Sequence, residues 1–164
     1  MFFVIKHICR LYNTIHRRLK VLSLNLQYGK NFQAQKFHFR RGFQVFIEDN
    51  GILCIGKNVF FNNYCSITAR KKIVIGDNCI FGENVHLYDH NHNYEEKDVL
   101  ICNQGFSSDE IIIEEGCWIG SNVTILKGVH IGKHSVIGAG VIVYKDLPEN
   151  SLTINKQNIV TKIY

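Results

Sequence analysis

One spacing constrains this chain more than any other feature: an aliphatic residue returns at every sixth position between residues 113 and 143. A helix repeats every 3.6 residues and a half-buried strand every two, so neither element predicts a period of six. A parallel β-helix does, because each flat side of its coil holds one six-residue unit and successive coils stack equivalent residues. The aliphatic side chains then point into a narrow prism. They are Ile113, Ile119, Ile125, Ile131, Ile137 and Val143.

The same period occurs upstream, with one change of phase. It begins again two positions late between Ile73 and Ile75, and a short insertion of this kind is easily accommodated at a corner of a coil. Residues 37–54 alternate loosely between apolar and polar, which indicates a first, irregular coil. The sequence therefore predicts an all-β protein built on a parallel β-helix of about five coils. The upstream repeat residues are Ile55, Phe61, Ile67 and Ile73, then Ile75, Phe81 and Leu87.

The repeat is interrupted once, between Leu87 and Ile113. The spacing of these two residues is not a multiple of six, so we expect residues 88–110 to leave the prism as an extruded loop. Long loops in compact domains are usually functional. Pro148 lacks the N–H donor that a further strand needs and marks the exit from the last coil.

Three segments follow from these boundaries. Residues 1–30 form a helical segment, residues 31–148 the β-helix domain, and residues 149–164 a tail that we expect to fold back along the coils as an extended strand.

The N-terminal segment is basic and apolar. Residues 2–24 carry apolar side chains at spacings of mostly three or four, which predicts an amphipathic helix with a basic face. Up to Ile47 there are nine Lys or Arg residues and no acidic one, although the whole chain has a net charge of only +5. Two interpretations stay open: the helix packs on the β-helix or a neighbouring subunit, or it lies on an anionic membrane surface. The sequence contains no recognisable nucleic-acid-binding motif beside these charges, so nucleic-acid binding is not expected.

The cysteines do not have the pattern of a disulfide scaffold. Cys65, Cys79 and Cys117 each lie four positions after a repeat residue, which indicates packing residues in a reducing compartment. No Cys-x-x-Cys pair and no cluster of Cys and His with zinc-ligand spacing occurs, so no metal site is expected. The longest apolar runs fall short of the ~18 residues of a membrane helix, and no signal-peptide cleavage site follows the N-terminus. We therefore expect a cytoplasmic protein.

Three histidines occur where the loop departs. They are His86, His90 and His92, the last two within Tyr-Asp-His-Asn-His-Asn-Tyr. An imidazole accepts a proton near neutral pH, so a histidine at this position is a candidate general base. The alternative is that two histidines in one polar loop are coincidental.

The hexads resemble those of the hexapeptide-repeat family, whose fold is a left-handed parallel β-helix and most of whose members transfer acyl groups from coenzyme A thioesters. The pair Ile75-Gly76-Asp77-Asn78 and Phe81-Gly82-Glu83-Asn84, followed by the loop, is similar to the galactoside, maltose and capsule O-acetyltransferases. The resemblance covers residues 51–148. It implies a left-handed coil, acetyl-CoA as donor, and a homotrimer with active sites between subunits.

The resemblance also implies roles for single residues. An ungapped count from Ile75 puts the family's catalytic histidine on His92, with His90 as the alternative. The base would deprotonate an acceptor hydroxyl that attacks the thioester directly. The acceptor-binding residues implied are Asn62, Arg70, Asp89 and Trp118. Arg70 stands where the galactoside enzyme has an aspartate, which favours a carboxylate-bearing sugar.

A second group is implied for the cofactor. Trp118 and Ser121 lie in Trp-Ile-Gly-Ser, and Ala139 lies in Gly-Ala-Gly; both motifs line the pantetheine arm in the family. Tyr144 and Lys145 continue that groove, where Lys145 would pair with a cofactor phosphate as a point charge.

The predicted function is acetyl-CoA-dependent O-acetylation of a sugar, polysaccharide or glycan precursor. Residues 1–24 would provide a peripheral contact with the inner face of the membrane. Alternatives are an N-acyltransferase acting on an amino sugar, a serine acetyltransferase, or a β-helix scaffold without catalytic activity.

Overall fold

The computed structural model describes residues 2–156, and within its first helix the side chains of residues 2–4, 8–10, 12 and 13 lie outside the description. Helix α1 (Phe2–Tyr28) is followed by a 3-10 turn (Gly29–Asn31), so the predicted N-terminal helix is confirmed. Leu24 is only 2% exposed, and the Tyr28 hydroxyl donates to the Val45 carbonyl at 3.3 Å. The end of α1 therefore packs against the first coil. Within residues 2–156, no helix is long and apolar enough to span a bilayer.

Within the described residues, eighteen short strands follow the helix. Those before the loop are β1 (Phe32–Ala34), β2 (His38–Phe39), β3 (Gln44–Ile47), β4 (Ile52–Ile55), β5 (Phe60–Phe61), β6 (Ser66–Ala69), β7 (Lys72–Ile75), β8 (Ile80–Phe81) and β9 (His86–Tyr88). The loop contains β10 (His90–His92) and β11 (Phe106–Ser108). Those after it are β12 (Ile111–Ile113), β13 (Trp118–Ile119), β14 (Thr124–Leu126), β15 (His130–Ile131), β16 (Val136–Ile137), β17 (Ile142–Val143) and β18 (Leu152–Thr153).

The strands outside the loop form three parallel sheets in the described part of the chain, one for each side of a coil. Their orders are β1-β4-β7-β12-β15, β2-β5-β8-β13-β16-β18 and β3-β6-β9-β14-β17. We call them sheet 1, sheet 2 and sheet 3. Each successive coil adds one strand to each sheet, so the predicted parallel β-helix of about five coils is confirmed.

Strand pairing confirms the change of phase. Leu53 pairs with Ile73, whereas Ile113 pairs with Ile131. Comparing the residue numbers within each pair (73 − 53 against 131 − 113) shows that the earlier coil is longer by two positions. Ile73 and Ile75 lie on the same strand and are both buried, because alternate residues of a strand point to the same side.

The corners explain the rest of the hexad. The third residue after each repeat aliphatic often has a positive φ, as at Asn78 (φ 60°) and Asn122 (φ 59°), and asparagine tolerates this left-handed conformation. The first residue after the aliphatic is often glycine because the next coil passes very close. A Cβ on Gly76 would lie 2.6 Å from the Glu115 nitrogen, and one on Gly120 would lie 2.7 Å from the Ala139 nitrogen.

The prism is filled by the repeat residues and, at its N-terminal end, by phenylalanines. The ring centroids of Phe61 and Phe81 are 4.6 Å apart, and those of Phe43 and Phe61 are 4.7 Å apart. Cys65, Cys79 and Cys117 are buried free thiols at the corners, as predicted for packing residues. Burial raises the pKa of Cys65 to about 11.

The predicted loop departs from the prism between two coils, and these two coils still stack on each other. Ile73 pairs directly with Ile111, although the chain between them is about twice as long as one of the later coils. The excursion therefore adds roughly the length of one further coil without separating its neighbours. Much of the loop is ordered, because β10 pairs antiparallel with β11 as a two-stranded ribbon. An ion pair joins the end of this ribbon to the prism, since the Lys71 ammonium lies 2.8 Å from the carboxylate of Asp109, the residue after β11.

The C-terminal segment differs from its prediction. β18 pairs parallel with β16, so after Pro148 the chain adds a further strand to sheet 2 and does not fold back. The backbone N–H groups of Val136 and Gly138 donate to the carbonyls of Ser151 and Thr153, which is the pairing of the coils below. Residues 157–164 of the predicted tail lie outside the described residues.

Candidate active site

Asp89 occupies the corner where the ribbon begins, directly after β9. Its side chain is fully buried, and its carboxylate accepts the backbone N–H groups of Arg70, Lys71 and Lys72, each at 2.8 Å. Three donors on one carboxylate hold the neighbouring corner in place. A side chain with no exposed area does not touch an acceptor, so the burial of Asp89 contradicts its predicted acceptor contact.

His90 is the first residue of the ribbon and is held by Asp89. Its Nδ1 lies 3.1 Å from the Asp89 Oδ1, and its side chain is 14% exposed. An ionised carboxylate only accepts hydrogen bonds, so the ring donates to it through Nδ1–H. The opposite side of the ring meets Phe106 edge to face, with the centroids 5.6 Å apart.

His92 lies on the same side of the ribbon as His90, because the two residues alternate along β10. Its ring is exposed and packs on Phe106, which is its partner across the ribbon, with the centroids 4.3 Å apart. Both histidines are therefore arranged around one aromatic ring. His92 presents its imidazole to solvent, whereas His90 is largely covered.

Arg70 connects the ribbon to the prism. The guanidinium carbon lies 3.4 Å from the centroid of Phe106. Nε lies 2.8 Å from the Glu48 Oε2, and Nη1 lies 2.7 Å from the Asp49 Oδ2. Two carboxylates outweigh one guanidinium, so the charge of Arg70 does not favour a carboxylate-bearing acceptor, contrary to the sequence argument.

His86 is the third histidine of the predicted cluster, and it faces outward from β9. Its Nε2 lies 3.0 Å from the Asn84 Oδ1, and its ring stacks with Tyr88 at a centroid distance of 6.0 Å. Its Nδ1 is buried and has no hydrogen-bond partner among residues 2–156. It belongs to the outer surface of sheet 3 and not to the group around Phe106.

The residues predicted for the cofactor lie on the later coils. Trp118 points outward from β13 and is 56% exposed. Ser121 and Ala139 occupy the same corner of two successive coils, where the Gly140 N–H donates to the Ser121 carbonyl at 2.9 Å. Tyr144 and Lys145 are exposed at the following corner.

Asn62 lies at the same type of corner as Ser121, but on the second coil. Its Oδ1 accepts from the Arg40 Nη1 at 3.2 Å and from the Asn63 N–H at 2.9 Å. The structure thus brings Arg70, Asp89, His90 and His92 together at the loop root. No contact within the described part of one chain joins Asn62 or the cofactor group to that root.

Phe106, Glu48 and Asp49 were missed by the sequence analysis. Phe106 lies far from Arg70 along the chain. The loop also lacks the six-residue repeat, so the sequence does not indicate which of its side chains contact the prism. The only signal was an isolated aromatic residue between polar neighbours. Within residues 2–156 there is no group of three or more His, Cys, Asp or Glu side chains that could hold a metal ion.

Comparison with known proteins identifies the repeat. Residues 110–145 match the family model described as the hexapeptide repeat of succinyl-transferase. Over 154 residues the chain is 27% identical to WbbJ of Escherichia coli K12, a protein assigned to O-acetyl transfer in lipopolysaccharide biosynthesis. That alignment covers 85% of this chain and 76% of WbbJ. The chain spans about half the length of other curated relatives that it matches.

Solved structures give the same result. A maltose O-acetyltransferase from Clostridium difficile superposes with a TM-score of 0.69 at 26% identity, over 92% of this chain and 79% of that one. A galactoside acetyltransferase in complex with coenzyme A superposes with a TM-score of 0.64 at 33% identity, over 76% of this chain and 61% of that one. Both similarities extend well beyond the matched repeat.

Proposed function

Because this chain belongs to the hexapeptide-repeat family, we propose that it transfers an acetyl group from acetyl-CoA to a hydroxyl group of a sugar, a polysaccharide or a glycan precursor. The observation that carries the proposal is the pair of histidines on a ribbon whose root is fixed by a buried carboxylate. Support for the donor comes from the galactoside acetyltransferase that was solved with coenzyme A. Support for the acceptor comes from relatives named for sugars or lipopolysaccharide.

In this mechanism His92 is the general base. Its imidazole takes the proton of the acceptor hydroxyl while the oxygen attacks the thioester carbonyl. The tetrahedral intermediate then expels the coenzyme A thiolate, which receives the proton back from the imidazolium. The products are an acetyl ester and free coenzyme A, and no acyl-enzyme forms.

The choice of His92 over His90 rests on access. A base must come within hydrogen-bond reach of the proton it removes. His92 is exposed, whereas His90 is largely covered and holds the ribbon to Asp89. We assign His90 a positioning role, in which its bond to Asp89 fixes the strand that carries His92.

The cofactor groove in this proposal follows the outward face of the last coils. Trp118, Ser121 and Ala139 would line the pantetheine arm, and Tyr144 and Lys145 would extend the groove toward the phosphates. The exposed indole of Trp118 supplies a large apolar surface, and the Lys145 ammonium supplies the charge.

A thiol-release assay tests the activity. Purified protein is incubated with acetyl-CoA and a panel of neutral sugars, acidic sugars, amino sugars and serine, and free coenzyme A is measured with a thiol reagent. We expect release that depends on a hydroxyl acceptor. Release with amino sugars or serine alone would replace the O-transfer proposal with one of its alternatives. No binding of any acyl-CoA would favour the scaffold.

We further propose a homotrimer whose active sites lie between subunits. Two apolar surfaces support it. The outward residues of sheet 2 form a ladder of mainly apolar side chains that would otherwise face water: Phe60, Ile80, Trp118, Val136 and Leu152. Helix α1 presents a second surface, which we call the α1 stripe: Ile5, Ile15, Leu19, Leu22 and Leu26, each at least 48% exposed.

The spacing of the α1 stripe favours contact with another copy of the chain. Its last four members are separated by four, three and four positions, the seven-residue repeat with which helices pack on one another. This stripe lies on the side of α1 away from Leu24, which contacts the coil. Peripheral contact with an anionic membrane from the cytoplasm is the second candidate, because α1 contains no acidic residue.

Replacing Leu19 and Leu22 by serine separates these two candidates. By sedimentation equilibrium we expect a native mass three times that of the 18.9 kDa chain, and a shift toward smaller species in the variant. Gln27→Ser on the polar side of α1 is the matched control. A variant that stays trimeric but no longer sediments with vesicles containing phosphatidylglycerol would assign the stripe to the membrane instead.

A further inference from the structure

A cavity of about 720 Å³ lies away from the proposed active site, between α1 and the first two coils. Its lining is His16, Arg17, Phe39, Arg40, Arg41, Gly42 and Asn63. A smaller space of about 270 Å³ shares four of these residues and adds Lys20, Phe43 and Gln44. We call the two together the basic cavity.

Cationic side chains without acidic partners dominate the basic cavity. Arg17, Lys20, Arg40 and Arg41 line it, and no aspartate or glutamate of the described chain does. Among the salt bridges formed within residues 2–156, none involves these four side chains. Like charges held close together repel one another, and this repulsion falls when an anion enters.

The contacts of the arginines are neutral. Arg40 donates to Asn62 and lies over the Phe60 ring, 5.6 Å from its centroid. The Arg17 Nη2 donates to the Thr14 hydroxyl at 3.5 Å, which is a long bond. These contacts orient the guanidinium groups and leave their charge uncompensated.

We propose that the basic cavity binds the phosphate groups of a phosphorylated small molecule. Guanidinium groups present planar, paired donors that match phosphate oxygens, which makes Arg17, Arg40 and Arg41 suitable ligands. The volume falls within the range of small-molecule sites and holds a pyrophosphate with an attached group of nucleoside size. A nucleotide and a lipid pyrophosphate headgroup share this chemistry.

The site is separate from the acetyl-CoA groove proposed above. It lies on the first two coils, whereas Ala139 lies on the last coil, and successive coils are spaced by roughly 4.8 Å. None of the residues at the loop root lines it. The proposal therefore stands or fails independently of acetyl transfer.

Calorimetric titration of the whole chain with inorganic pyrophosphate tests the proposal, at about 0.15 M salt, where exposed charges outside the cavity are screened. We compare the native chain with the double variant Arg17→Gln/Arg41→Gln, and with Arg18→Gln/Lys36→Gln as a control that removes the same charge outside the cavity. The first variant should bind at least about tenfold more weakly, because two charge-assisted contacts are lost. The control should bind within about twofold of the native chain.

Three results would overturn the proposal. They are no heat of binding for the native chain, equal losses in the two double variants, or loss of acetyl-CoA binding in the cavity variant, which would assign these arginines to the cofactor. The same variants are then titrated with uridine diphosphate and sedimented with vesicles containing phosphatidic acid. A loss confined to the diphosphate identifies a free nucleotide as the source of the phosphate, and a loss confined to vesicles identifies a lipid headgroup.

Discussion

Replacing His92 by alanine is expected to lower kcat for acetyl transfer by about 10²- to 10⁴-fold, the usual effect of losing a general base. The reason is that the exposed imidazole on β10 would no longer accept the hydroxyl proton during attack on the thioester. The measurement is coenzyme A release at saturating acetyl-CoA and acceptor. KM for acetyl-CoA should change little, because the ring is proposed to act on the acceptor.

Two companion variants sharpen this test. His38→Ala removes an exposed histidine from the first coil and should keep full activity. His90→Ala should reduce kcat by a smaller factor, because the bond to Asp89 positions the strand and does not transfer the proton. Full turnover in the His92 variant would exclude it as the base, and a deeper loss in the His90 variant would exchange the two roles.

Replacing Asp89 by alanine is expected to lower the free energy of unfolding by about 3–5 kcal/mol. Its carboxylate accepts three backbone N–H groups and the His90 ring in a fully buried position, so its removal leaves several donors without partners. Urea unfolding followed by circular dichroism measures the change. Activity at temperatures below the transition should also fall, because the root of the ribbon loses its anchor.

Matched variants separate this effect from a general loss of charge. Asp98→Ala, at an exposed position of the loop, should leave stability unchanged. Asp89→Asn keeps the size and one acceptor oxygen, so it should lie between the native chain and the alanine variant. Equal stability of Asp89→Ala and the native chain would contradict the structural role of the carboxylate.

The prism was predictable because its physical cause is local in the sequence. Each hexad indicates which residue points inward, and the corners need residues that tolerate close packing or a positive φ, as Gly76 and Asn78 do. The position of the loop followed from the absence of that pattern. The assignment of Cys65 to a packing slot followed from it in the same way.

The interior of the loop could not be derived in this way. The stack of Arg70 on Phe106 depends on the path of the ribbon between β10 and β11, and no periodicity encodes that path. Asp89 illustrates the same difficulty. The family resemblance implied a role in acceptor binding, whereas the burial of Asp89 beneath the corner of the preceding coil is a tertiary property.

Sheet 1 pairs Ile73 directly with Ile111, so the ladder of the prism is continuous beneath the point where the excursion departs and returns. Mutation can therefore lengthen, shorten or rewrite the part of the excursion beyond Asp89 while the stack beneath it keeps its shape. In such an architecture, changes that alter acceptor specificity can be separated from changes that alter the stacked coils. A lineage built on it can explore new acceptors without losing the capacity to fold.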